Sequence, residues 1–280
     1  MLFPKAGLDG FWGPVTSTLD WCEENYTVSH FIAEFNNTLS NLNYIFLALV
    51  GLYSCKTVYS TRAIILSYLG VLVVGVGSFL FHMTLTYRMQ LSDELPMIYC
   101  TLVCVHASIH LRSSKYSYLT ASMFTIYSVL VTLIYIENRD PLFHEFAYGC
   151  TVILFFGAPI YQMNRLATEY SSRIPRLARM FATNALVFLA GFALWNIENR
   201  YCVVFREIKT SVGYPLRLVF ELHSWWHFMT GYGSYGMVVH LQVMHALVHS
   251  TPNVDFKYVW GVPVVVDNRG SEETRKIHVD

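Results

Sequence analysis

The sequence predicts an all-α polytopic membrane protein, a bundle of seven transmembrane helices. Hydrophobic residues make up 54% of the 280 residues and charged residues only 14%, well below the roughly 25% charge of soluble domains. Seven windows are apolar enough, and long enough, to cross a bilayer, which takes about 20 such residues. The formal net charge is zero, so no electrostatic feature indicates a nucleic-acid partner.

The seven windows follow one another with mostly short polar breaks. They cover residues 39–57, 63–84, 94–112, 115–136, 141–163, 179–200 and 218–248. An odd number of spans places the two termini on opposite sides of the membrane. Lys and Arg are modestly more numerous on the side of the C-terminus, where the tail supplies the excess. The positive-inside rule therefore predicts a luminal or outside N-terminus and a cytosolic C-terminus.

Three parts of the chain follow from these windows. Residues 1–38 form a luminal N-terminal segment, 39–248 the transmembrane domain, and 249–280 a polar cytosolic tail that we expect to be mobile. Six cysteines are present without a CxxC pair, so neither a zinc ribbon nor a thioredoxin motif is predicted.

Two histidines in the last window point to a metal site. His223 and His227 stand four residues apart, which on a helix places them on one face with Cβ atoms roughly 5–6 Å apart. That is close enough to share one metal ion. The spacing matches the zinc-protease motif H-E-x-x-H, but residue 224 is serine, so the glutamate base of that motif is absent.

The predicted topology brings further polar residues to the same level. Odd spans begin and even spans end on the N-terminal side, where the end of span 2 and the starts of spans 3 and 7 meet. Span 2 carries Ser78 and His82, again four apart, and Asp93 precedes span 3. Polar residues at membrane depth are costly, and they usually face the bundle interior and have a function.

These residues predict a catalytic zinc site. Three protein ligands with an open fourth position are typical of catalytic zinc, and His82, His223 and His227 would supply them. Zinc lowers the pKa of a bound water to roughly 7. Asp93 could then accept a proton from that water, and Ser78 could donate a hydrogen bond to a developing oxyanion.

The alternative is that each histidine only packs and hydrogen-bonds between helices. For an isolated intramembrane histidine this is the better interpretation, and we apply it to His106, His110, His240 and His245. For three histidines at one depth, two of them paired, the metal site is the better interpretation.

An acidic stretch lies in the N-terminal segment. It runs Asp20-Trp-Cys-Glu-Glu-Asn25 and is followed by Glu34. Oxygen ligands at this density suit Ca²⁺, but the spacing does not follow an EF-hand, because Cys22 would fall on a ligand position. From the residues alone, a solvated acidic segment is the better interpretation.

Long motifs in this chain resemble those of the alkaline ceramidases. The pattern is nearest the alkaline ceramidase 3 type, which includes the yeast ceramidases, and it extends in collinear order over about residues 12–235. The motifs are Gly13-Pro-x-Thr-Ser-Thr-x-Asp20-Trp-Cys-Glu-Glu-Asn25-Tyr, Ile32-Ala-Glu34, Gly77-Ser-x-x-Phe-His82-Met-Thr-Leu, Gln90-Leu-x-Asp93-Glu-Leu-Pro-Met-Ile-Tyr99, Trp195-Asn196 and His223-x-Trp-Trp-His227. Ser92, where the family pattern has Leu, is a departure within them.

The resemblance implies a fold and an activity. The fold would be the seven-span bundle shared with the adiponectin receptors. The activity would be hydrolysis of the ceramide amide to a sphingoid base and a fatty acid. The protein would reside in the membrane of the endoplasmic reticulum, the Golgi or both. Its partner would be the lipid substrate, and no obligate protein partner is implied.

The resemblance also implies site residues. The zinc ligands of the family fall on His82, His223 and His227, its general base on Asp93 and its oxyanion-stabilising serine on Ser78. Its calcium ligands fall on Asp20, Trp21 through the carbonyl, Glu23, Asn25 and Glu34, which replaces the interpretation of a solvated segment. A disulfide of the family would join Cys22 to Cys202, both on the side of an oxidising lumen.

Two other classes of protein remain to be weighed. One is a lipid receptor resembling the adiponectin receptors, with a non-catalytic zinc; the complete set of base, serine and three histidines argues against it. The other is a proton or metal transporter, since buried His and Asp also mark ion pathways. No chain of ionisable residues crosses the whole predicted depth, which disfavours a transporter.

Overall fold

The computed structural model describes residues 10–113, 115–249, 251 and 253–268. Helices account for most of them, and one antiparallel β-hairpin follows the last helix. The helices are α1 Phe35–Ser40, α2 Leu42–Thr57, α3 Arg62–Thr84, α4 Tyr87–Ile109, α5 Ser117–Asn138, α6 Pro141–Leu166, α7 Ile174–Arg200, α8 Cys202–Val212 and α9 Leu222–Val248, with a 3-10 turn at Leu216–Phe220 and strands β1 Val254–Val259 and β2 Val262–Asp267.

Each of the seven predicted windows contains a helix. Five helical segments are apolar enough and long enough to cross a membrane, namely 35–57, 62–84, 117–138, 141–166 and 174–200. This establishes a helical membrane protein. Within the described residues α4 and α9 do not meet the same criterion, because acids, histidines and other polar residues lower their mean hydropathy. Seven spans and the orientation of the termini therefore stay predictions.

The contact between α3 and α4 is close enough to bring two candidate site residues together. A Cβ added at Gly77 would collide with the carbonyl oxygen of Ser92, so only glycine allows these backbones to approach in this way. Ser78 follows Gly77 on α3, and Asp93 follows Ser92 on α4. The glycine thus positions the serine beside the aspartate.

The N-terminal segment is fastened over one end of the bundle by its backbone. The amides of Ala33 and Glu34 donate to the carbonyls of Met83 and His82, both at 2.9 Å, where α3 ends. The amide of Thr18 donates to Oε1 of Gln90 on α4 at 2.8 Å. These bonds hold the acidic stretch directly above the histidine of α3.

A disulfide joins the same segment to α8. Cys22 and Cys202 are bonded, with their Cα atoms 5.4 Å apart, as the resemblance implies. Cross-links of this kind persist in oxidising compartments. Among the described residues the remaining cysteines are free thiols, namely Cys55, Cys100, Cys104 and Cys150.

As far as the structure describes it, the C-terminal segment forms a hairpin within residues 253–268 instead of the mobile polar tail predicted for residues 249–280. Residues 250, 252 and 269–280 lie outside the described residues. Within the hairpin, β1 and β2 pair in the register Val254↔Asp267 to Val259↔Val262. Both central turn residues, Trp260 and Gly261, have positive φ, 52° and 81°, the conformation of a tight type I′ hairpin turn. Val254, Phe256 and Val265 are buried in the main hydrophobic core. Their alternation with more exposed residues is the sequence signal for strands.

Candidate active site

The three predicted metal ligands lie together in the structure. His82 is on the last turn of α3, and His223 and His227 are on the first two turns of α9. All three are buried, and one ring nitrogen from each lies within 4.8 Å of the others. Sequence spacing accounts for the pair on α9. The packing of α3 against α9 brings the third histidine to them.

The unpaired ring nitrogens in this cluster fit a metal ion. Among the described residues, buried Nε2 of His82 and Nδ1 of His223 have no hydrogen-bond partner. A buried polar atom left unpaired is costly, and natural structures generally satisfy it. Imidazole ligands suit zinc, copper, iron and nickel. The donor set therefore suits a transition-metal ion.

Outer contacts orient these rings. Nδ1 of His82 lies 2.5 Å from Oε2 of Glu34, and Nδ1 of His227 lies 2.7 Å from the hydroxyl of Ser40. A carboxylate or hydroxyl on one ring nitrogen fixes the tautomer and leaves the other nitrogen for the metal. Glu34 and Ser40 thus have the geometry of partners that hold metal ligands in place.

Ser78 and Asp93 line the same cavity as His223 and His227. This cavity measures about 570 Å³, and Ser78 is a hydrogen-bonding neighbour of the Asp93 carboxyl group. The rest of the wall is mainly apolar, with the side chains Val71, Val74, Met97, Phe155, Phe188 and Phe192 among it. The structure therefore combines an apolar chamber with a polar end made of histidine, aspartate and serine.

The five predicted calcium ligands lie near one another but are not equally available. Nδ2 of Asn25 donates to Oδ1 of Asp20 at 3.1 Å, and the amide of Trp21 donates to Oε1 of Glu34 at 3.2 Å. Oδ1 of Asn25 is buried without a hydrogen-bond partner among the described residues. These groups leave oxygen atoms that could bind a cation.

Glu23 and the Trp21 carbonyl already have donors. The Glu23 carboxylate accepts the amides of Asn36 and Asn37 at 2.7 and 2.8 Å. The Trp21 carbonyl accepts a hydrogen bond from Arg206 at 3.2 Å. Glu23 thus anchors the start of α1, and both Glu34 oxygens likewise have hydrogen-bonding neighbours, whereas Oδ1 of Asn25 has none among the described residues.

Electrostatics around these acids favours a bound cation. Burial, with nearby Asp20 contributing, raises the pKa of Glu34 to about 8. Burial also raises the pKa of Glu23 to about 8, with Glu221 and Glu34 contributing. A buried carboxylate with so high a pKa lacks a compensating positive charge. A divalent cation would supply that charge.

A buried ion-pair network beside the histidines was not predicted. Nζ of Lys209 lies 2.8 Å from Oε2 of Glu221 and 3.4 Å from Oε1 of Glu198, and Arg217 binds Glu221 at 3.0 Å. The other Glu198 oxygen accepts the backbone N–H of His223 at 2.7 Å. The sequence contains one signal for this network, since acidic residues lie at the ends of the apolar windows. Charged residues at the ends of such windows are normally solvated, so burial was not predicted.

Three of the four histidines assigned to packing behave as predicted. His106, His110 and His245 have hydrogen-bonding neighbours, at Ser117, Thr120 and Ala107 respectively. His240 differs, because both ring nitrogens lack a hydrogen-bond partner in the described part of the chain. Its ring instead contacts that of Phe181.

These features indicate a class of protein: a helical membrane protein in which a buried cluster of three histidines could hold a metal ion beside a mainly apolar cavity. Comparison with known proteins agrees. The family model described as Ceramidase matches residues 13–266. The chain is 42% identical to "Alkaline ceramidase 3" of Mus musculus, over 83% of this chain and 85% of the relative. It is 31% identical to "Alkaline ceramidase YPC1" of Saccharomyces cerevisiae, over 92% and 85%.

A further relative is "Alkaline ceramidase" of Arabidopsis thaliana, 28% identical over 82% of this chain and 84% of the relative. The chain therefore belongs to the ceramidase family and is a hydrolase of that class. The resemblance found in the sequence motifs is confirmed.

Proposed function

We propose that this protein is a zinc-dependent intramembrane amidase that hydrolyses the N-acyl bond of ceramides, releasing a sphingoid base and a fatty acid in sphingolipid metabolism. One observation carries the proposal: His82 and His223 have unpaired buried ring nitrogens in one cluster, and His223 lines a cavity whose wall also presents Asp93 and Ser78. The relatives named alkaline ceramidases support the substrate class.

The proposal includes the membrane arrangement. α4 and α9 cross the bilayer with the five apolar segments, giving seven spans with a luminal N-terminus and a cytosolic C-terminus. Their site residues face the bundle interior, where intramembrane polar groups are tolerated. The disulfide of the N-terminal segment suits the lumen of the endoplasmic reticulum or Golgi.

The residues of the cavity have distinct roles in this proposal. The apolar wall binds the two alkyl chains of the substrate by burying them, and this directs the amide to the polar end. Held by His82, His223 and His227, zinc would supply Lewis acidity and a water of lowered pKa. Asp93 accepts a proton on attack and returns it to the departing amine. Ser78 donates a hydrogen bond to the carbonyl oxygen as negative charge develops there.

The experiment that tests the activity uses purified protein reconstituted in lipid. A panel of ceramides is supplied, with and without a zinc chelator, and the products are identified by mass spectrometry. We expect equimolar sphingoid base and fatty acid, their loss on chelation and their return with zinc. Undiminished hydrolysis by protein shown to be free of transition metal would contradict the zinc mechanism, while absence of any product would contradict the activity.

Replacing Ser78 by alanine should slow the reaction without removing the metal. Loss of one oxyanion donor typically costs about 10²–10³ in turnover, and Ser78 is not one of the clustered nitrogen ligands. Turnover and zinc content of the purified variant are the measurements. Ser92→Ala is the matched control, because the Ser92 hydroxyl bonds only the Arg88 carbonyl of its own helix and should leave the rate unchanged. Loss of zinc in Ser78→Ala would assign the serine as a ligand instead.

We further propose that Ca²⁺ binds Asp20, Asn25 and Glu34, with the Trp21 carbonyl and Glu23 completing the set after small adjustments of their present hydrogen bonds. Lys209 and Arg217 pair with Glu198 and Glu221. Among the described residues, Glu23 and Glu34 form no ion pair with Lys or Arg, and the ion-pair contact of Glu34 is with His82. A divalent cation would balance their charge and brace the segment over the histidines.

Calcium should raise the melting temperature more at high pH than at low pH. The pKa values of Glu23 and Glu34, near 8 when folded against 4.5 ordinarily, mean that the calcium-free protein loses stability as pH rises from 4.5 to 8. Calcium binds the ionised carboxylates and offsets that loss. Thermal unfolding with calcium and with chelator, at about pH 6 and about pH 9, should show the larger gain at the higher pH. A gain independent of pH, or none, would contradict the site.

Glu34 should connect the two metal sites, whereas Glu23 should serve only one. Glu34 contacts His82 at 2.5 Å, and loss of such an outer partner typically costs about 10–100-fold in metal affinity. We expect Glu34→Gln to weaken both zinc retention and the calcium response. Glu23→Gln, the matched control, should weaken the calcium response alone, because the Glu23 carboxylate bonds Asn36 and Asn37 and not a histidine. Competition with a graded zinc chelator measures the difference, and equal zinc affinity in the two variants would rule out the coupling.

A further inference from the structure

The C-terminal hairpin reaches the middle of α9. The Tyr232 hydroxyl donates to the Gly261 carbonyl, and the Tyr235 hydroxyl to the Pro263 carbonyl, both at 2.9 Å. At a rise of 1.5 Å per residue, Tyr232 lies about 24 Å from the C-terminal end of α9. A bilayer core is about 30 Å thick. The turn of the hairpin is therefore level with the interior of the span that we propose for α9.

The base of the hairpin is held at the other end of the bundle. Asp255 pairs with Arg176 at 2.7 Å and with Arg173 at 3.5 Å, beside the first residue of α7. The two strands consequently run from this charged base along α9 toward its middle. This direction would take them into the bilayer from the side of the C-terminus.

Backbone groups at the edges of a hairpin normally prevent such a position. In an antiparallel pair, every second residue turns its N–H and C=O away from the partner strand. Exposed to hydrocarbon, such groups cost several kcal/mol each, so open sheet edges do not occur in contact with lipid. With Val259 facing Val262 across the turn, the outward-turned residues are Val254, Phe256 and Tyr258 on β1 and Pro263, Val265 and Asp267 on β2.

Three of these outward-turned carbonyls accept hydrogen bonds from side chains. The carbonyls of Val254 and Phe256 accept hydrogen bonds from Arg173 and Arg176 at 2.8 and 2.7 Å, and the Pro263 carbonyl accepts that of Tyr235. A proline has no N–H to leave unpaired.

On β1, the outward amides of Val254 and Phe256 are also satisfied. The Val254 amide donates to the Thr251 carbonyl at 3.1 Å, and the Phe256 amide donates to Oδ1 of Asp255 at 2.8 Å. Closure of this kind is the condition for non-helical backbone at membrane depth.

The tip of the hairpin exposes apolar rings instead of polar groups. Trp260 is 99% exposed, and Tyr258 and Val259 are 48% and 40% exposed. In water this surface would be costly, whereas contact with acyl chains removes the cost. Lys257 is also exposed, but its long stem lets the ammonium group extend back toward the membrane surface.

We propose that the hairpin is a re-entrant element, inserted into the bilayer beside α9 so that Trp260, Val259 and Tyr258 contact the acyl chains of membrane lipids. The proposal rests on α9 being a transmembrane span, as proposed above. It is carried by the depth of the turn, by the hydrogen-bonded outward groups of Val254, Phe256 and Pro263, and by the apolar tip. The bilayer is the partner that fits these three features together.

Tryptophan quenching in reconstituted membranes tests the position of the tip. Vesicles containing lipids brominated along the acyl chain are compared with vesicles carrying aqueous iodide, for the native protein and for Trp260→Phe. Some of the native fluorescence is quenched by brominated lipid and some by iodide. Relative to the native protein, we expect Trp260→Phe to lack part of the fraction quenched by brominated lipid and to keep the whole fraction quenched by iodide. Trp12→Phe is the matched control, since Trp12 is exposed in the N-terminal segment, and it should lose the iodide-quenched part. Loss of iodide quenching in Trp260→Phe would overturn the proposal.

A second measurement tests separately whether α9 crosses the membrane. Thr210→Cys, before α9, and Asn268→Cys, after the hairpin, are treated in sealed vesicles with a membrane-impermeant maleimide and read by peptide mass spectrometry. Labelling from opposite sides supports the span on which the proposal rests. Labelling of both from the same side would contradict the span and the re-entrant hairpin together.

Discussion

Replacing His82, His223 or His227 by alanine is expected to abolish ceramide hydrolysis and to remove zinc from the purified protein. The three ring nitrogens lie within 4.8 Å of one another, so one ion can be shared by all three but not held equally well by two. Catalytic zinc sites use three protein ligands and keep a fourth position open. Removing any one ligand therefore affects both affinity and the open position.

The measurement is zinc per protein together with release of sphingoid base. His240→Ala provides the matched control, because His240 is also buried on α9 but lies outside the cluster, and it should keep its zinc. Normal turnover in any of the three ligand variants would contradict the assignment. Loss of zinc from His240→Ala as well would indicate general unfolding, which the melting temperature of each variant would reveal.

Replacing Asp93 by asparagine is expected to retain zinc and to lose catalysis. The two side chains have nearly the same shape, so the cavity wall beside Ser78 is preserved, but an amide cannot accept the proton. Positioned acid–base groups typically contribute about 10²–10⁴ in rate. A loss of that size at unchanged zinc content would identify Asp93 as the general base.

The neighbouring carboxylate offers a stringent control for this prediction. Glu94 is also buried, but its Oε2 accepts a hydrogen bond from the Tyr135 hydroxyl at 2.6 Å, which ties it to α5. Glu94→Gln should therefore cost stability more than rate. If Asp93→Asn lost its zinc, Asp93 would be a ligand, and the base would have to be sought elsewhere along the cavity wall.

The amino-acid sequence alone is enough to predict the long helices and the pairs of residues within them. Composition requires a membrane bundle, because 54% hydrophobic and 14% charged residues cannot cover a soluble surface. The spacing of four residues places His223 beside His227, and Ser78 beside His82, by the geometry of a single helix. Such features are local, and local periodicity can be read without knowing the fold. The family motifs then predicted their chemistry and the pairing of Cys22 with Cys202.

The contacts between these helices and segments follow only from the tertiary packing. The approach of His82 to α9 and the contact of Glu34 with His82 join residues far apart in the chain, so no periodicity encodes them. The buried Lys209 network required burial of a charge that sequence reasoning assigns to solvent. The hairpin has a readable alternation, yet its depth depends on Tyr232 and Tyr235 of a different element. Long-range packing determines which groups are desolvated, and desolvation determines the chemistry of the site.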